Sequence, residues 1–298
     1  MSKLGVLIWR HIFESGDEKR LALQLQDTGD LRIIRDLAYI NDGDPGHLFD
    51  IYELPGLPDD APVMINIHGG GLFAGYKEVN VNFNYEWARM GYRTVSLSYR
   101  RIPETTLWHQ IDDVMAALRF LKANAEKYHL NLNACFLSGD SAGALLSVFA
   151  MTLNSSPKVQ NEFGIRGPSI PFRAAGLVSI MLDTQRTDLV MAIRNVVYAR
   201  KEKGKPYMKY ILDPSLLLEE GEFPPLFLTT SEEDLIQKDS LKMNRLLDAK
   251  SIPHEMMNFR KGTDHELVHV FPVMYPMYPE SKEVFTRMNE FFRRQINV

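Results

Sequence analysis

The 298-residue chain predicts an α/β fold: a mostly parallel central sheet with helices on both faces. Three observations point there. A hairpin-like pair opens the pattern, short β-rich runs then alternate with longer segments of helical periodicity, and no internal repeat or low-complexity tract interrupts the order. "LRIIRDLAYI" and "HLFDIYEL" flank the turn-rich "NDGDPG" and form the hairpin. "PVMINIHGG", "RTVSLSYR", "ACFLSG", "AAGLVSIML" and "PPLFLTTS" are the β-rich runs that follow. Segments such as "QIDDVMAALRFLKANAEKYH" and "QKDSLKMNRLLDAK" separate them as helices, "HEMMNF" is a weaker last strand, and "ESKEVFTRMNEFFRRQI" closes the chain as an amphipathic helix. Such alternation places ligands at the carboxyl ends of the strands.

Two stretches stand outside the alternation, about 1–28 and about 184–212, and both are expected to form a small helical lid on a single domain spanning 1–298. The second contains "ARKEKGK", whose lysines mark a solvated loop and receive no functional role.

Composition excludes several functions. Lys and Arg number 34 against 38 Asp and Glu, a formal charge of −4, so there is no basic surface of the kind a phosphate backbone selects. The first residues carry only a short apolar run interrupted by Arg10 and His11, which fits neither a signal peptide nor a membrane span. A single cysteine, Cys135, excludes an internal disulfide and suits a reducing cytoplasm. The expected partner is a small molecule, with no nucleic acid, no membrane and a homodimer left open.

Two motifs compete to define the chemistry. In "DHELVHVF", His265, Glu266 and His269 spell HExxH, which on a helix would offer two imidazoles to zinc with a carboxylate as general base. Gly262 shortly before it and Pro272 and Pro276 after it leave little room for that helix, and no third histidine follows. Against this stands "FLSGDSAGALLSVFAMTL", where a β-like stretch meets a helix-like one at Gly139-Asp140-Ser141-Ala142-Gly143. A serine at a tight strand-to-helix turn projects its hydroxyl from the top of the sheet, and the helix N-terminus behind it favours negative charge. The plain alternative is a serine N-cap among small neighbours. "INIHGGGLFAG" can supply the oxyanion donors that a serine nucleophile needs: the N–H groups of Gly70 and Gly71, with that of Ala142 as a third. His68 suits a ring that braces this loop. Leu72 and Phe73 beside it, with Trp9 and Phe13 from the lid, suggest a compact apolar acyl pocket.

Taken together, "HGGG" at 68–71, "YRRIPE" at 99–104, "DDVMAALRFL" at 112–121, "GDSAGA" at 139–144 and "HVFPVMYPMYPES" near the C-terminus resemble the hormone-sensitive-lipase-like group of α/β-hydrolases, which includes many carboxylesterases. Ala144 stands where that group customarily has glycine, Leu72 where it has an aromatic, and "TTLWHQ" where it has a proline-containing stretch. The resemblance implies an α/β-hydrolase fold, Asp234 of "SEEDLIQKDS" as the triad acid and His269 as its base, in the chain order Ser, Asp, His. It leaves His265 outside the triad and Asp239 as a surface carboxylate or helix cap.

The expected activity is therefore a serine carboxylic ester hydrolase for short-chain acyl esters, working through an acyl-enzyme on Ser141 with no metal and no organic cofactor. Its rate should rise with pH as the His269 imidazole loses its proton. An amidase or peptidase could use the same triad, and a ligand-binding protein on a hydrolase fold is the non-enzyme alternative. A zinc hydrolase built on "HELVH" would instead lose activity to a chelator.

Overall fold

The computed structural model of the chain describes residues 3–24, 26–185 and 200–296. Eight strands form one sheet among these residues: β1 (Arg32–Ala38), β2 (Leu48–Glu53), β3 (Pro62–Ile67), β4 (Arg93–Leu97), β5 (Asn131–Asp140), β6 (Phe172–Val178), β7 (Leu226–Ser231) and β8 (His254–Phe259). Their order across the sheet is β1-β2-β4-β3-β5-β6-β7-β8. β2 runs antiparallel to both β1 and β4, and every later pairing is parallel. The hairpin expected from "NDGDPG" is thus β1–β2, at the edge where an antiparallel strand can sit on a parallel sheet.

Parallel strands need long crossovers, and helices supply them. The helices are, in chain order, α1 (Lys3–Leu23), α2 (Val81–Arg89), α3 (Leu107–Ala123), α4 (Ala142–Ser155), α5 (Pro157–Phe163), α6 (Met208–Leu212), α7 (Gln237–Ala249), α8 (Phe271–Met274) and α9 (Pro279–Arg294), of which α2 to α7 lie in the crossovers. Alternate residues along a strand point to opposite faces, so the two cores can be read from single strands. Val63, Ile65 and Ile67 of β3 with Cys135 and Leu137 of β5 pack against α3 and α4, through side chains such as Leu118 and Leu145. Met64 and Phe136, one residue out of phase, pack with Phe83 and Trp87 of α2 and Phe285, Met288 and Phe292 of α9. Helices on both faces bury both phases, which is why these strands read as continuous apolar runs.

The sheet's geometry gathers the loops that matter. β3, β5, β6, β7 and β8 lie side by side and parallel, so the segments leaving their carboxyl ends meet along one edge. α1 lies over that edge. Arg10 and Arg20 fasten it to the loops beneath: Arg10 Nε donates to Phe73 O at 2.6 Å, and Arg20 donates to the carbonyls of Val79 and Met274 at 3.2 and 3.3 Å. Of the other expected lid segment, residues 186–199 lie outside the described residues. In the described remainder, Tyr207 and Tyr210 pack on Phe163, and Thr184 Oγ1 donates to Ile211 O at 2.7 Å. No helix among the described residues is long and apolar enough to cross a membrane.

Candidate active site

Ser141 follows β5 and caps α4 with φ 51° and ψ −115°, a left-handed backbone that L-residues adopt only under constraint. The constraint is visible in the main chain: Ser141 N donates to Val178 O at 2.9 Å, and Met181 N donates to Ser141 O at 3.2 Å. The turn is tight enough to explain the glycine that follows. A methyl group at Gly143 would lie 2.0 Å from Ile67 O, so only glycine lets α4 close against β3.

His269 reaches Ser141 across 128 residues of chain, with its Nε2 2.9 Å from Ser141 Oγ. Its Nδ1 lies 2.8 Å from Asp234 Oδ1. An ionised carboxylate can only accept, so Nδ1 carries the proton and Nε2 of the neutral ring is free to accept from the serine hydroxyl. Asp234 is held in turn by the Ile236 N–H on Oδ1 at 2.9 Å and the Thr230 hydroxyl on Oδ2 at 2.9 Å. Burial works to raise its pKa, but the bond from His269, that ring's charge, Ser179 and the Ile236 N–H outweigh it and hold the carboxyl below the usual aspartate range.

The glycine loop after β3 lies alongside. Gly70 has φ 104°, and a Cβ there would fall 2.1 Å from Ala74 O. Its carbonyl accepts from Phe73 N at 3.1 Å and Ala74 N at 2.9 Å, closing residues 70–74 into one turn. No acceptor among the described residues takes a hydrogen bond from the N–H of Gly70, Gly71 or Ala142, which leaves three donors free beside the serine. His68 braces the loop from below. Its Nδ1 donates to Gly69 O at 2.7 Å, its ring stacks on Tyr99 at 4.3 Å, and complete burial lowers its pKa to about 3, so it stays neutral.

A cavity of about 530 Å³ opens over these groups. Trp9, Ile12 and Phe13 of α1 form one wall, and Phe73, Val273 and Met274 are among those facing them. Phe13 and Phe73 meet edge to face at 5.3 Å, and Leu235, 62% exposed, marks the rim. Leu72, expected beside Phe73 in the substrate pocket, is not part of this wall. It is wholly buried in the core at φ 71°, because the left-handed backbone turns its side chain away from Phe73's direction.

Asp140 and Asn80 are functional neighbours that the sequence reading missed. Asp140 Oδ1 accepts from Gly69 N at 3.0 Å and from Asn80 Nδ2 at 2.6 Å, so it ties the serine turn to the glycine loop. Full burial pushes its pKa up to about 6 against the lowering effect of the Asn80 bond, the His269 charge and the Gly69 N–H. An acidic side chain in a turn otherwise made of small residues was the available signal; Asn80 offered none. Asp239, expected as a surface carboxylate or cap, is buried and accepts from Leu182 N and Asp183 N at 2.8 and 2.9 Å, bracing the loop after β6 from the first turn of α7.

The "HELVH" segment is not helical, and its two imidazoles diverge. His265 Nδ1 lies 3.1 Å from Glu280 Oε2, with its ring stacked on Tyr278 at 4.1 Å, while His269 faces Ser141. Among the described residues no group of three His, Cys, Asp or Glu side chains is placed to hold a metal ion. His109, His129 and His254 bond to Thr106, Asp59 and the Ile252 carbonyl, away from the site. Cys135 is buried in β5, where desolvation pushes its thiol pKa far up.

The sheet order and the strand-turn-helix at Ser141 define an α/β-hydrolase fold. The BD-FAE family profile matches residues 49–203, just over half of the chain, and the protein belongs to that family. Among solved structures, esterase B from Lactobacillus rhamnosis superposes with a TM-score of 0.91 at 23% identity, covering 99% of this chain and 95% of that one. A further structure of that esterase is described with a C4-C4 SN3 tributyrin phosphonate, at 23% identity, TM-score 0.91 and coverage of 100% and 97%. An esterase from the bacterial hormone-sensitive lipase family matches with TM-score 0.73 at 23% identity, over 96% of this chain and 90% of that one.

Proposed function

We propose that this protein is a serine carboxylic ester hydrolase acting on short-chain acyl esters. The observation that carries the reading is the hydrogen-bonded line Ser141–His269–Asp234, at 2.9 and 2.8 Å, opening into an apolar cavity beside free backbone donors. Ser141 Oγ attacks the ester carbonyl carbon as its proton passes to His269 Nε2. The carbonyl oxygen, now anionic, is held by the N–H groups of Gly70, Gly71 and Ala142. His269 returns the proton to the departing alcohol, leaving an acyl-serine. Water then attacks that acyl group, its proton again taken by His269, and the acid leaves as Ser141 recovers its hydrogen. Asp234 fixes the ring tautomer and stabilises the imidazolium in both halves. None of these steps needs a metal or organic cofactor.

Short acyl chains are favoured because Phe13 and Phe73 meet across the cavity. The tributyrin phosphonate named for the Lactobacillus esterase, a four-carbon acyl design, supports the same class. The lid of this reading is made of two segments, about 1–28, which contains α1, and about 184–212, on a single domain spanning 1–298. The lone buried thiol, Cys135, suits a cytoplasmic setting.

Labelling with a fluorophosphonate, with and without EDTA, tests the class. We expect one adduct, on Ser141, formed at the same rate in both conditions. An adduct elsewhere, or none, overturns the reading. With p-nitrophenyl esters from acetyl to dodecanoyl, kcat/KM should peak near butyryl and be lower for dodecanoyl by about tenfold or more, since a chain that cannot be housed loses about a kcal/mol or more of pocket contact. A peak at dodecanoyl would contradict the short-chain assignment.

A further inference from the structure

The turn of residues 70–74 lines the cavity with Gly70 and Gly71, whose N–H groups have no acceptor among the described residues, while its Gly70, Leu72 and Phe73 carbonyls are each held by a donor. Gly70 O is used within the turn, accepting from Phe73 N and Ala74 N. Leu72 O accepts from Ile102 N at 3.0 Å and from Gln110 Nε2 at 2.7 Å, both from the body of the protein. Phe73 O is different: its donor is Arg10 Nε at 2.6 Å, from the lid helix α1. The same guanidinium donates to Ile102 O and forms a two-pronged pair with Glu104, at 2.9 Å to Oε1 and 2.6 Å to Oε2. Only 10% of the Arg10 side chain is exposed. One turn further along α1, Glu14 accepts from Gly75 N at 3.2 Å and pairs with Arg101. Arg10 and Glu14 are four residues apart and so share a helix face, gripping the two ends of the segment that follows the glycines.

We propose that Arg10 is a positioning residue for the oxyanion hole, so that the seating of the lid helix sets the placement of the Gly70 and Gly71 N–H groups. The inference rests on the serine hydrolase reading above. A guanidinium is suited to the task because its planar fork can bond Phe73 O, Ile102 O and Glu104 together, which a lysine ammonium on one flexible stem cannot. The bond to Glu104 also lowers that carboxyl's pKa, with burial opposing, and keeps the pair ionised. α1 therefore does more than wall the cavity. Losing its grip frees Phe73 O, and the turn closed on Gly70 O can shift with it.

Misplaced donors affect the transition state more than the ground state, because full negative charge develops on the substrate oxygen only during attack. Arg10→Ala should lower kcat on p-nitrophenyl butyrate by about 10- to 100-fold, with KM changing by about twofold or less. The inhibition constant of a butyl trifluoromethyl ketone, which adds to the serine and presents an oxyanion, should weaken by the same factor. That of butyramide, which makes no adduct and keeps a neutral carbonyl oxygen, should stay within about twofold of wild type. Arg10→Lys should lie between wild type and Arg10→Ala. Circular dichroism and thermal unfolding establish which variants are folded, and if Arg10→Ala is not, Arg10→Lys carries the test. A folded variant with kcat within about twofold of wild type, or a loss confined to KM with unchanged ketone inhibition, would overturn the proposal. Wild-type enzyme that fails to take a fluorophosphonate on Ser141 would instead overturn the underlying hydrolase reading.

Discussion

Replacing Ser141 with alanine is expected to lower kcat/KM for p-nitrophenyl butyrate by about a million-fold, the loss seen when a nucleophile is removed from a triad that acts as one unit. The side chain contributes the attacking oxygen and the partner of His269 Nε2, and nothing else in the cavity can take either part. The fold should tolerate the change. The bonds that hold the left-handed turn, Ser141 N to Val178 O and Met181 N to Ser141 O, are main-chain bonds that alanine keeps. A thermal unfolding midpoint close to wild type should therefore accompany the loss. The free N–H groups of the glycine loop remain, so a small rate above that in water is expected to persist. Activity within about a hundredfold of wild type, after contaminating esterases are removed, would exclude Ser141 as the nucleophile.

What could be read from the chain alone divides along a physical line. The strand-helix order was legible because burial on both faces of the sheet writes apolar runs such as "PVMINI" directly into the sequence, and periodicity betrays the covering helices. The crossover that inserts β4 between β2 and β3 left no local mark. Ser141, Gly70 and Gly71 stood out because turns with positive φ and close approach select residue types locally. Leu72 was misplaced because adjacency along the chain says nothing about direction once the backbone turns left-handed, here at φ 71°. Asp140, Asn80 and Arg10 were missed for a related reason. Their partners lie 60 or more positions away, so their roles exist only in the folded chain. Arg10 did leave one trace, a charge set inside the apolar run "LIWRHIF", and a buried cation in such a place requires acceptors.

Asp234→Ala should reduce kcat/KM by about 10⁴-fold, less than the loss of the nucleophile because the serine and the oxyanion donors stay in place. Asp234→Asn should cost less, and the hydrogen bonds say why. The oxygen facing His269 Nδ1 also accepts from the Ile236 N–H at 2.9 Å, so an amide NH2 turned to that side would meet that fixed donor whichever tautomer the ring takes. The asparagine oxygen must therefore take the Oδ1 position, its NH2 facing the Thr230 hydroxyl, which can rotate to accept. The ring tautomer survives, and what is lost is the negative charge that stabilises the imidazolium, on the order of 10- to 100-fold for a charge-assisted bond. Equal losses in the two variants would contradict this placement of the amide. Stability gives a second readout. The carboxyl's pKa is lower in the folded chain than in the unfolded one, so its ionised form stabilises the fold above the unfolded value of about 4. That contribution disappears as pH falls through the folded value. Thermal midpoints measured from pH 5 downward should therefore fall more steeply in wild type than in Asp234→Asn, whose amide has no proton to gain. Parallel curves would mean that the folded surroundings of Asp234, the His269 bond foremost, do not depress its carboxyl.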